Sequence, residues 1–182
     1  VDAYGSPTIQ SDLQTFDQQF GLANPTLNII YPDGRVNWTP TATELGWAQE
    51  TSLDVEWSHA MAPGATIDLL IAPTSNGDAL NLAEQYAVTH HLGNVMSMSF
   101  GAPESAIAGV GNNLQLMQAH FIYGLARAQG MTVFASSGDN GATNGASSPN
   151  PLFPASDPLV TSVGGTNLFT SNSGAYQSET VW

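Results

Sequence analysis

A chain of 182 residues is long enough to bury the core of one domain without covalent cross-links. Two basic residues against fifteen acidic ones give a net charge of −13 at pH 7, which argues against nucleic acid and anionic membranes as partners. Cysteine is absent, so disulfides and thiolate metal sites are excluded. Because carboxylates lose their charge in acid, we expect a protein that works in an acidic environment.

The predicted elements alternate between strands and helices. The predicted strands cover residues 1–5, 27–31, 66–72, 94–99, 131–136 and 159–163, with a further extended stretch at 35–38. The predicted helices cover residues 11–20, 41–61, 79–91 and 114–129. A long loop at 138–158 and a terminal hairpin complete the chain. This alternation predicts an α/β fold of three layers, with a mostly parallel sheet and helices on both faces. Without internal repeats, residues 1–182 are interpreted as a single domain.

Two helix starts carry a capping-box pattern. Ser11 is expected to cap the first helix, with Gln14 three residues later. Thr41 is expected to cap the second helix in the same way with Glu44, and Pro63 closes that segment. The second helix carries the pattern on which the functional prediction depends.

Glu50 and Asp54 are four residues apart on this helix and therefore share one face. Trp57 and Met61 continue along that face, so the stripe is predicted to be buried. Two close, buried carboxyls tend to share a proton and can relay it at acidic pH. The alternative is an ordinary solvated pair of acids, which is the interpretation given to Glu44 and Glu56 on other faces.

Two polar segments follow buried strands, at the strand ends where α/β folds bind ligands. One is Ser97-Met98-Ser99-Phe100-Gly101, and the other is Ser136-Ser137-Gly138-Asp139. Asp139 could be an ordinary turn residue. A carboxylic acid that stays protonated could also donate a hydrogen bond to a developing oxyanion, which would require acidic conditions.

Taken together, these motifs resemble the sedolisins, or serine-carboxyl peptidases, which have a subtilisin-like α/β fold. Glu-x-x-x-Asp alone is a weak pattern, but the motifs follow one another in the family's order over essentially the whole chain. The matching segments are Val1-Asp2-Ala3-Tyr4-Gly5, Glu50 with Asp54, Ala62-Pro63-Gly64-Ala65, Ser97-Met98-Ser99-Phe100-Gly101, Ser137-Gly138-Asp139, Phe153-Pro154-Ala155-Ser156 and Val163-Gly164-Gly165-Thr166.

The resemblance implies a secreted serine-type endopeptidase that acts on polypeptides at acidic pH through a Ser-Glu-Asp triad. Glu50 would be the general base, Asp54 would orient it and share its proton, and Asp139 would complete the oxyanion hole. The segment from Ser97 to Gly101 would pair with the substrate as an added strand. The substrate-binding residues implied in this way are Ser97, Met98, Ser99, Gly101, Ser137 and Gly138.

The chain departs from the family pattern in one respect, because the Ser-Gly-Thr-Ser motif that carries the family's nucleophile does not occur in it. The family's calcium site also falls near the C-terminus of the full domain, beyond Trp182. We therefore expect the N-terminal part of a truncated catalytic domain, with no cofactor of its own. Such a chain would be inactive without the missing C-terminal part as a partner.

Three alternatives compete with this interpretation. A Ser-His-Asp hydrolase would need one of the four histidines, but His59 is nine positions from Glu50 on the helix and points to the opposite side. His90 and His91 are at a helix end, and His120 is in mid-helix. A non-catalytic peptide-binding module or degenerate peptidase relative remains open. A metal site is disfavoured because the acids lack other ligands at suitable spacing.

Overall fold

The computed structural model describes residues 1–109 and 113–181. The helices are α1 Ile9–Phe20, α2 Ala42–Met61, α3 Gly77–Thr89, α4 Glu104–Gly109 and α5 Asn113–Ala128. The strands are β1 Asp2–Ala3, β2 Leu27–Ile30, β3 Ile67–Ala72, β4 Val95–Met98, β5 Ala102–Pro103, β6 Thr132–Ser136, β7 Leu152–Phe153, β8 Thr161–Val163, β9 Thr166–Thr170 and β10 Tyr176–Val181. In the described part of the chain, no helix is both long and apolar enough to cross a membrane.

The parallel strands form two ladders of three strands each, in the orders β2-β3-β1 and β4-β6-β8. The ladders meet where the ammonium group of Val1 donates a hydrogen bond to the carbonyl of Ser97, at 2.9 Å. The sequence predicts one continuous sheet. In the described residues β1 is only two residues long, and the Val1–Ser97 hydrogen bond is what connects it to β4. The mostly parallel α/β architecture is nevertheless confirmed.

β3 separates two apolar cores because its side chains alternate between the faces of the sheet. Leu69 and Ile71 pack with α1 and α2, and Leu70 and Ala72 pack with α3 and α5. Helices therefore cover both faces, as the predicted three-layer fold requires.

Helix α2 has the predicted N-terminus but buries a different stripe. Thr41 accepts a hydrogen bond from the backbone N–H of Glu44, and the Glu44 carboxylate accepts one from that of Thr41, which confirms the capping box. The predicted burial of Trp57 and Met61 is wrong, since they are 59% and 80% exposed. The helix is rotated by about one residue relative to the prediction, so its buried positions include Thr51, Val55 and His59.

Glu44 is not the solvated acid that the sequence suggests, because it is only 5% exposed. Its carboxylate accepts hydrogen bonds from the backbone and hydroxyl groups of both Thr39 and Thr41. The predicted cap of the first helix is also wrong. Helix α1 begins at Ile9, and the Ser11 hydroxyl donates to the Thr8 carbonyl inside the first turn.

The connections differ from the predictions at three places. The expected extended stretch at 35–38 joins no ladder within the described chain. Helix α4 and strand β5 lie between the predicted strand 94–99 and the predicted helix 114–129, where the sequence predicts no helix or strand, and β7 lies within the predicted loop 138–158. The antiparallel pairing of β5 with β7 ties this long loop to the segment that follows β4. The predicted terminal hairpin is present as β9 and β10.

Candidate active site

The face of α2 that carries Glu50 and Asp54 lies against the segment that follows β4. The hydroxyl of Ser99 donates a hydrogen bond of 2.6 Å to Oδ1 of Asp54. Both acids are half-buried, at the border between the buried stripe of α2 and solvent. A residue just past a strand end therefore holds one member of the predicted acid pair in place.

The surroundings of Glu50 favour its protonated form. Burial raises the pKa of Glu50 above its ordinary value, and the negative charge of Asp54 raises it further. The nearby hydroxyl of Ser99 acts in the opposite direction and lowers the pKa of Glu50, while the charge of Asp139 adds to the rise. The structure thus brings Glu50 into electrostatic contact with both of the other predicted catalytic acids.

Asp2 is a fourth acid in this cluster, and the sequence analysis gave it no role. It is buried in β1, and neither of its side-chain oxygens has a hydrogen-bond donor as partner. Burial raises the pKa of Asp2 to about 7, against the lowering effect of the Val1 ammonium, and the neighbouring Asp54 raises it further. Asp2 and Asp54 are therefore neighbouring carboxyls, and two such groups can share a proton.

Asp139 is exposed, and Gly138 before it determines its position. The backbone of Gly138 has φ +99°, a region that L-residues rarely adopt. A Cβ at this position would lie 2.5 Å from Oδ1 of Asn144 and 2.6 Å from Cδ1 of Leu152. The chain therefore needs glycine here to bring Asp139 out of β6 towards Glu50.

The predicted substrate-binding residues do not form one surface. Ser97 is exposed, but its carbonyl accepts the Val1 hydrogen bond. Ser99 binds Asp54, so its hydroxyl belongs to the acid cluster. The prediction of Met98 as a substrate-binding residue has to be corrected for its side chain. This side chain is 1% exposed and accepts a weak hydrogen bond from the Tyr123 hydroxyl inside the core.

The remaining predicted residues stand on either side of the long loop. Gly101 is exposed, and a Cβ on it would lie 2.9 Å from the carbonyl oxygen of Phe153. Ser137 and Gly138 line a cavity of about 420 Å³ between this loop and the segment after β8. Both strand-end segments therefore lie against the long loop.

The histidines do not form a Ser-His-Asp site in the described residues. His59 is buried with Nε2 at 3.2 Å from Oδ1 of Asp17, an acid of α1, so its ring cannot reach a substrate. Nδ1 of His120 is 2.8 Å from Oδ2 of Asp157. Among residues 1–109 and 113–181, neither ring has a serine hydroxyl as a hydrogen-bond partner. These geometries disfavour the Ser-His-Asp hydrolase.

The described residues also do not fit a metal ion. Within residues 1–109 and 113–181, no three His, Asp or Glu side chains are grouped so that they could hold one. The calcium ion that the family resemblance implies is therefore assigned no residues and no chemical step in the described part of the chain.

The acid cluster can hold protons at acidic pH and pass one between neighbouring carboxyls. Ser99 and Asp2 are the members whose contacts the sequence analysis missed. Asp2 did carry a signal, since it is a charged residue beside the apolar residues of a predicted buried strand. The contact of Ser99 with Asp54 spans 45 positions of sequence, and no local pattern reports such a contact.

Comparison with known proteins supplies the class and the family. The chain is 33% identical over 176 residues to kumamolisin from Bacillus sp. (strain MN-32), covering 95% of this chain and 31% of that protein. It is 35% identical over 188 residues to sedolisin from Pseudomonas sp. (strain 101), covering 97% of this chain and again 31% of the relative. Tripeptidyl-peptidase 1 from Rattus norvegicus is 32% identical over 132 residues. No protein-family profile matches the chain.

A solved structure of Pseudomonas sedolisin, a serine-carboxyl proteinase complexed with two molecules of pseudo-iodotyrostatin, matches with a TM-score of 0.83 and 32% identity. The match covers 100% of this chain and 51% of that one, so the fold is that of a serine-carboxyl proteinase. The chain belongs to the sedolisin family. It spans about a third of the length of kumamolisin and of Pseudomonas sedolisin.

Proposed function

We propose that this chain is the acid-bearing part of a serine-type endopeptidase domain that works at acidic pH. Glu50 acts as the general base, Asp54 orients Glu50 and shares its proton, and Asp139 completes the oxyanion hole. The observation that supports this proposal best is the Ser99–Asp54 hydrogen bond beside a Glu50 whose pKa is raised by burial, by Asp54 and by Asp139. The substrate is a polypeptide, in line with the peptidase relatives.

The proposed reaction is acyl transfer to a serine supplied by a segment outside these 182 residues. Glu50 takes the proton of the serine hydroxyl as its oxygen attacks the peptide carbonyl. A protonated Asp139 donates a hydrogen bond to the oxyanion. Glu50 then passes its proton to the leaving amine as the peptide C–N bond breaks. Water next attacks the acyl ester while Glu50 takes its proton, and Glu50 returns this proton to the serine oxygen as the carboxylic acid product leaves.

Asp2 has a positioning role in this proposal. When Asp2 is protonated, its hydroxyl can donate to Asp54, which already accepts a hydrogen bond from Ser99. Two donors on one carboxylate hold it in a single orientation, and this fixes the side of Asp54 that faces Glu50. The acidic working range keeps Asp2 protonated, because its pKa is raised to about 7 by burial.

A non-catalytic peptide-binding module is the second candidate. The absence of a Ser-Gly-Thr-Ser motif from these 182 residues favours it. The parent reading frame separates the two candidates, since a peptidase needs that motif downstream and a binding module does not.

The decisive experiment joins this chain to its downstream parent segment and measures hydrolysis of an internally quenched peptide at about pH 4. We expect Glu50→Gln, Asp54→Asn and Asp139→Asn each to lower kcat by on the order of 10²-fold or more. Glu56→Gln is the matched control, because Glu56 is an acid of the same helix outside the cluster. Its kcat should stay close to that of the parent.

The 182-residue chain alone should show no turnover and no labelling by a peptide aldehyde that captures active serine. Appreciable hydrolysis by this chain would contradict the assignment of the serine to another segment. Full activity of the Glu50→Gln variant in the extended protein would contradict the role of Glu50 as base.

A further inference from the structure

The long loop returns to the sheet through residues 152–163, which we call the return segment. Both ends of this segment contact the corner of the chain that precedes Asp139. At one end, Cδ1 of Leu152 is 2.6 Å from the position that a Cβ on Gly138 would occupy. At the other end, the carbonyl of the last residue of β8 accepts a hydrogen bond of 2.8 Å from the backbone N–H of Ser137. The position of Asp139 therefore depends on where the return segment lies.

The middle of the return segment is held against α5 by a buried carboxylate. Asp157 is 7% exposed, and its Oδ1 accepts a hydrogen bond of 2.8 Å from the backbone N–H of Leu159. Its Oδ2 is 2.8 Å from Nδ1 of His120 on α5. A Cβ on Gly124 of the same helix would lie 3.8 Å from Cδ1 of Leu159, so the helix and the segment pack closely here. One oxygen of the carboxylate thus fixes the turn, and the other joins the turn to the helix.

His120 is the cation that this carboxylate can pair with in acid. The chain contains fifteen acidic residues, two arginines and four histidines, so histidine is its main source of positive charge at acidic pH. The side chain of His120 is 53% exposed, which allows its ring to exchange protons with solvent. A hydrogen bond from a charged donor to a carboxylate is roughly twice as strong as one between neutral groups. The pair should therefore be tighter at about pH 5, where histidine is ordinarily protonated and aspartate ionised, than at about pH 8.

We propose that His120 is a positioning residue for the oxyanion site. In acid its charged ring binds Asp157, and this bond keeps the return segment against the corner that precedes Asp139. The inference rests on the proposed function of Asp139 and adds the group that holds Asp139 in place at acidic pH. When the ring loses its proton, the bond to Asp157 weakens and the corner is free to move. His120 contacts no substrate and takes no part in the proton transfers.

Other ionisable groups lie on the elements next to this pair. They include Tyr123 and Arg127 on α5, Glu84 on α3 and Glu104 at the start of α4. Burial raises the pKa of the Tyr123 hydroxyl, and the charges of Glu84 and Asp157 raise it further, so the hydroxyl stays neutral throughout this range. Burial also raises the pKa of Glu84 to about 7, so this carboxyl ionises in the same range as a histidine. A test of His120 must therefore be separated from the ionisation of Glu84.

The first measurement is amide hydrogen exchange of the 182-residue chain by NMR at about pH 5 and about pH 8. It is expressed as protection factors, so that the intrinsic pH dependence of exchange cancels. The reporters are the backbone N–H groups of Ser137, Ser156 and Leu159, whose hydrogen bonds are made to groups of the return segment. Their protection should fall about fivefold from the lower pH to the higher. Glu84→Gln should show the same fall, because the fall comes from His120.

Three histidine variants identify the charge that matters. His120→Gln should lower the protection about fivefold at about pH 5 and remove its pH dependence. His120→Lys keeps a cation at both pH values, so its protection should be the same at both and close to that of the unmodified chain in acid. His90→Gln is the matched control, since His90 is an exposed histidine at the end of α3 whose ring stacks on Tyr86 of that helix. It should leave the protection at both pH values unchanged.

The second measurement is peptide hydrolysis by the extended protein. His120→Gln should lower kcat about fivefold at about pH 5 with KM nearly unchanged, because the oxyanion hole acts in the transition state. His120→Lys should restore kcat, and His90→Gln should leave it unchanged. A residue with a merely structural role would not be rescued by a cation.

The two measurements separate the role of His120 from the peptidase proposal. Unchanged protection in His120→Gln would overturn the role of the charged ring, as would a fall towards about pH 8 that persists in His120→Lys. Lost protection with an unchanged kcat would overturn the positioning of Asp139 and leave the peptidase proposal standing. The expected protection in an extended protein without peptidase activity would support the hold of His120 on the return segment and overturn the proposed reaction.

Discussion

Replacing Glu84 with glutamine should stabilise the chain at alkaline pH and leave its stability in acid almost unchanged. The carboxyl is fully buried, and its pKa is raised from 4.5 to about 7, chiefly by burial. The folded chain therefore keeps a proton that the unfolded chain gives up between these two pH values. The contribution of Glu84 to the free energy of unfolding is fully present below about pH 4.5. It falls as the pH rises through this window and is lost above about pH 7.

The size of the effect follows from the same pKa. A rise from 4.5 to about 7, at about 1.4 kcal/mol for each pH unit, corresponds to about 3 kcal/mol of lost stability once the folded group has ionised. Glutamine cannot ionise, and its amide has the same shape as the carboxyl beside the Tyr123 hydroxyl. Glu84→Gln should therefore be about 3 kcal/mol more stable than the unmodified chain at about pH 8, with little difference at about pH 4.

Chemical denaturation followed by circular dichroism at both pH values measures this difference. Asp33→Asn is the control, because Asp33 is an exposed turn residue and its replacement should change stability by less than about 0.5 kcal/mol at either pH. Equal effects of Glu84→Gln at the two pH values would refute the reasoning, as would a loss of stability at about pH 8.

Two further substitutions test the acid cluster and the loop that carries Asp139. Ser99→Ala should raise the pKa of Glu50, because the polar hydroxyl of Ser99 lowers it, and carboxyl NMR titration measures this. Ser52→Ala, whose hydroxyl bonds only within α2, is the control; an unchanged Glu50 in Ser99→Ala would contradict the contact. Gly138→Ala should destabilise the chain by roughly 1–3 kcal/mol more than Gly34→Ala, since both have positive φ but only Gly138 lacks room for a Cβ. Equal losses in thermal unfolding would show that the neighbouring side chains move aside.

The elements that local chemistry determines were predictable from the sequence. The Thr41 capping box is specified by residues close together in the chain, and it is present. The alternation of strands and helices also predicted the three-layer fold. At the start of α1 the local pattern misled, since Ser11 and Gln14 have the spacing of a capping box and Thr8 occupies the N-cap.

The details that depend on packing were not predictable in the same way. A rotation of α2 by about one residue determines whether Val55 or Trp57 faces the core, and only the neighbouring α1 and β3 settle it. The proximity of Asp2 to Asp54 depends on where β1 joins the sheet. The burial of Glu84 likewise depends on α5, which follows it in the chain. Helical spacing alone therefore gives the candidates for the site and not its full membership.

The Ser99 hydroxyl belongs both to the proposed peptide-binding edge and to the acid cluster. If ligand binding moves this segment, it changes the pKa of Glu50. Thermodynamic linkage then requires that the affinity for the ligand depend on pH. Proton uptake or release on ligand binding would then appear as a heat that depends on the ionisation enthalpy of the buffer. Ligand binding and protonation of Glu50 would in this way be coupled equilibria.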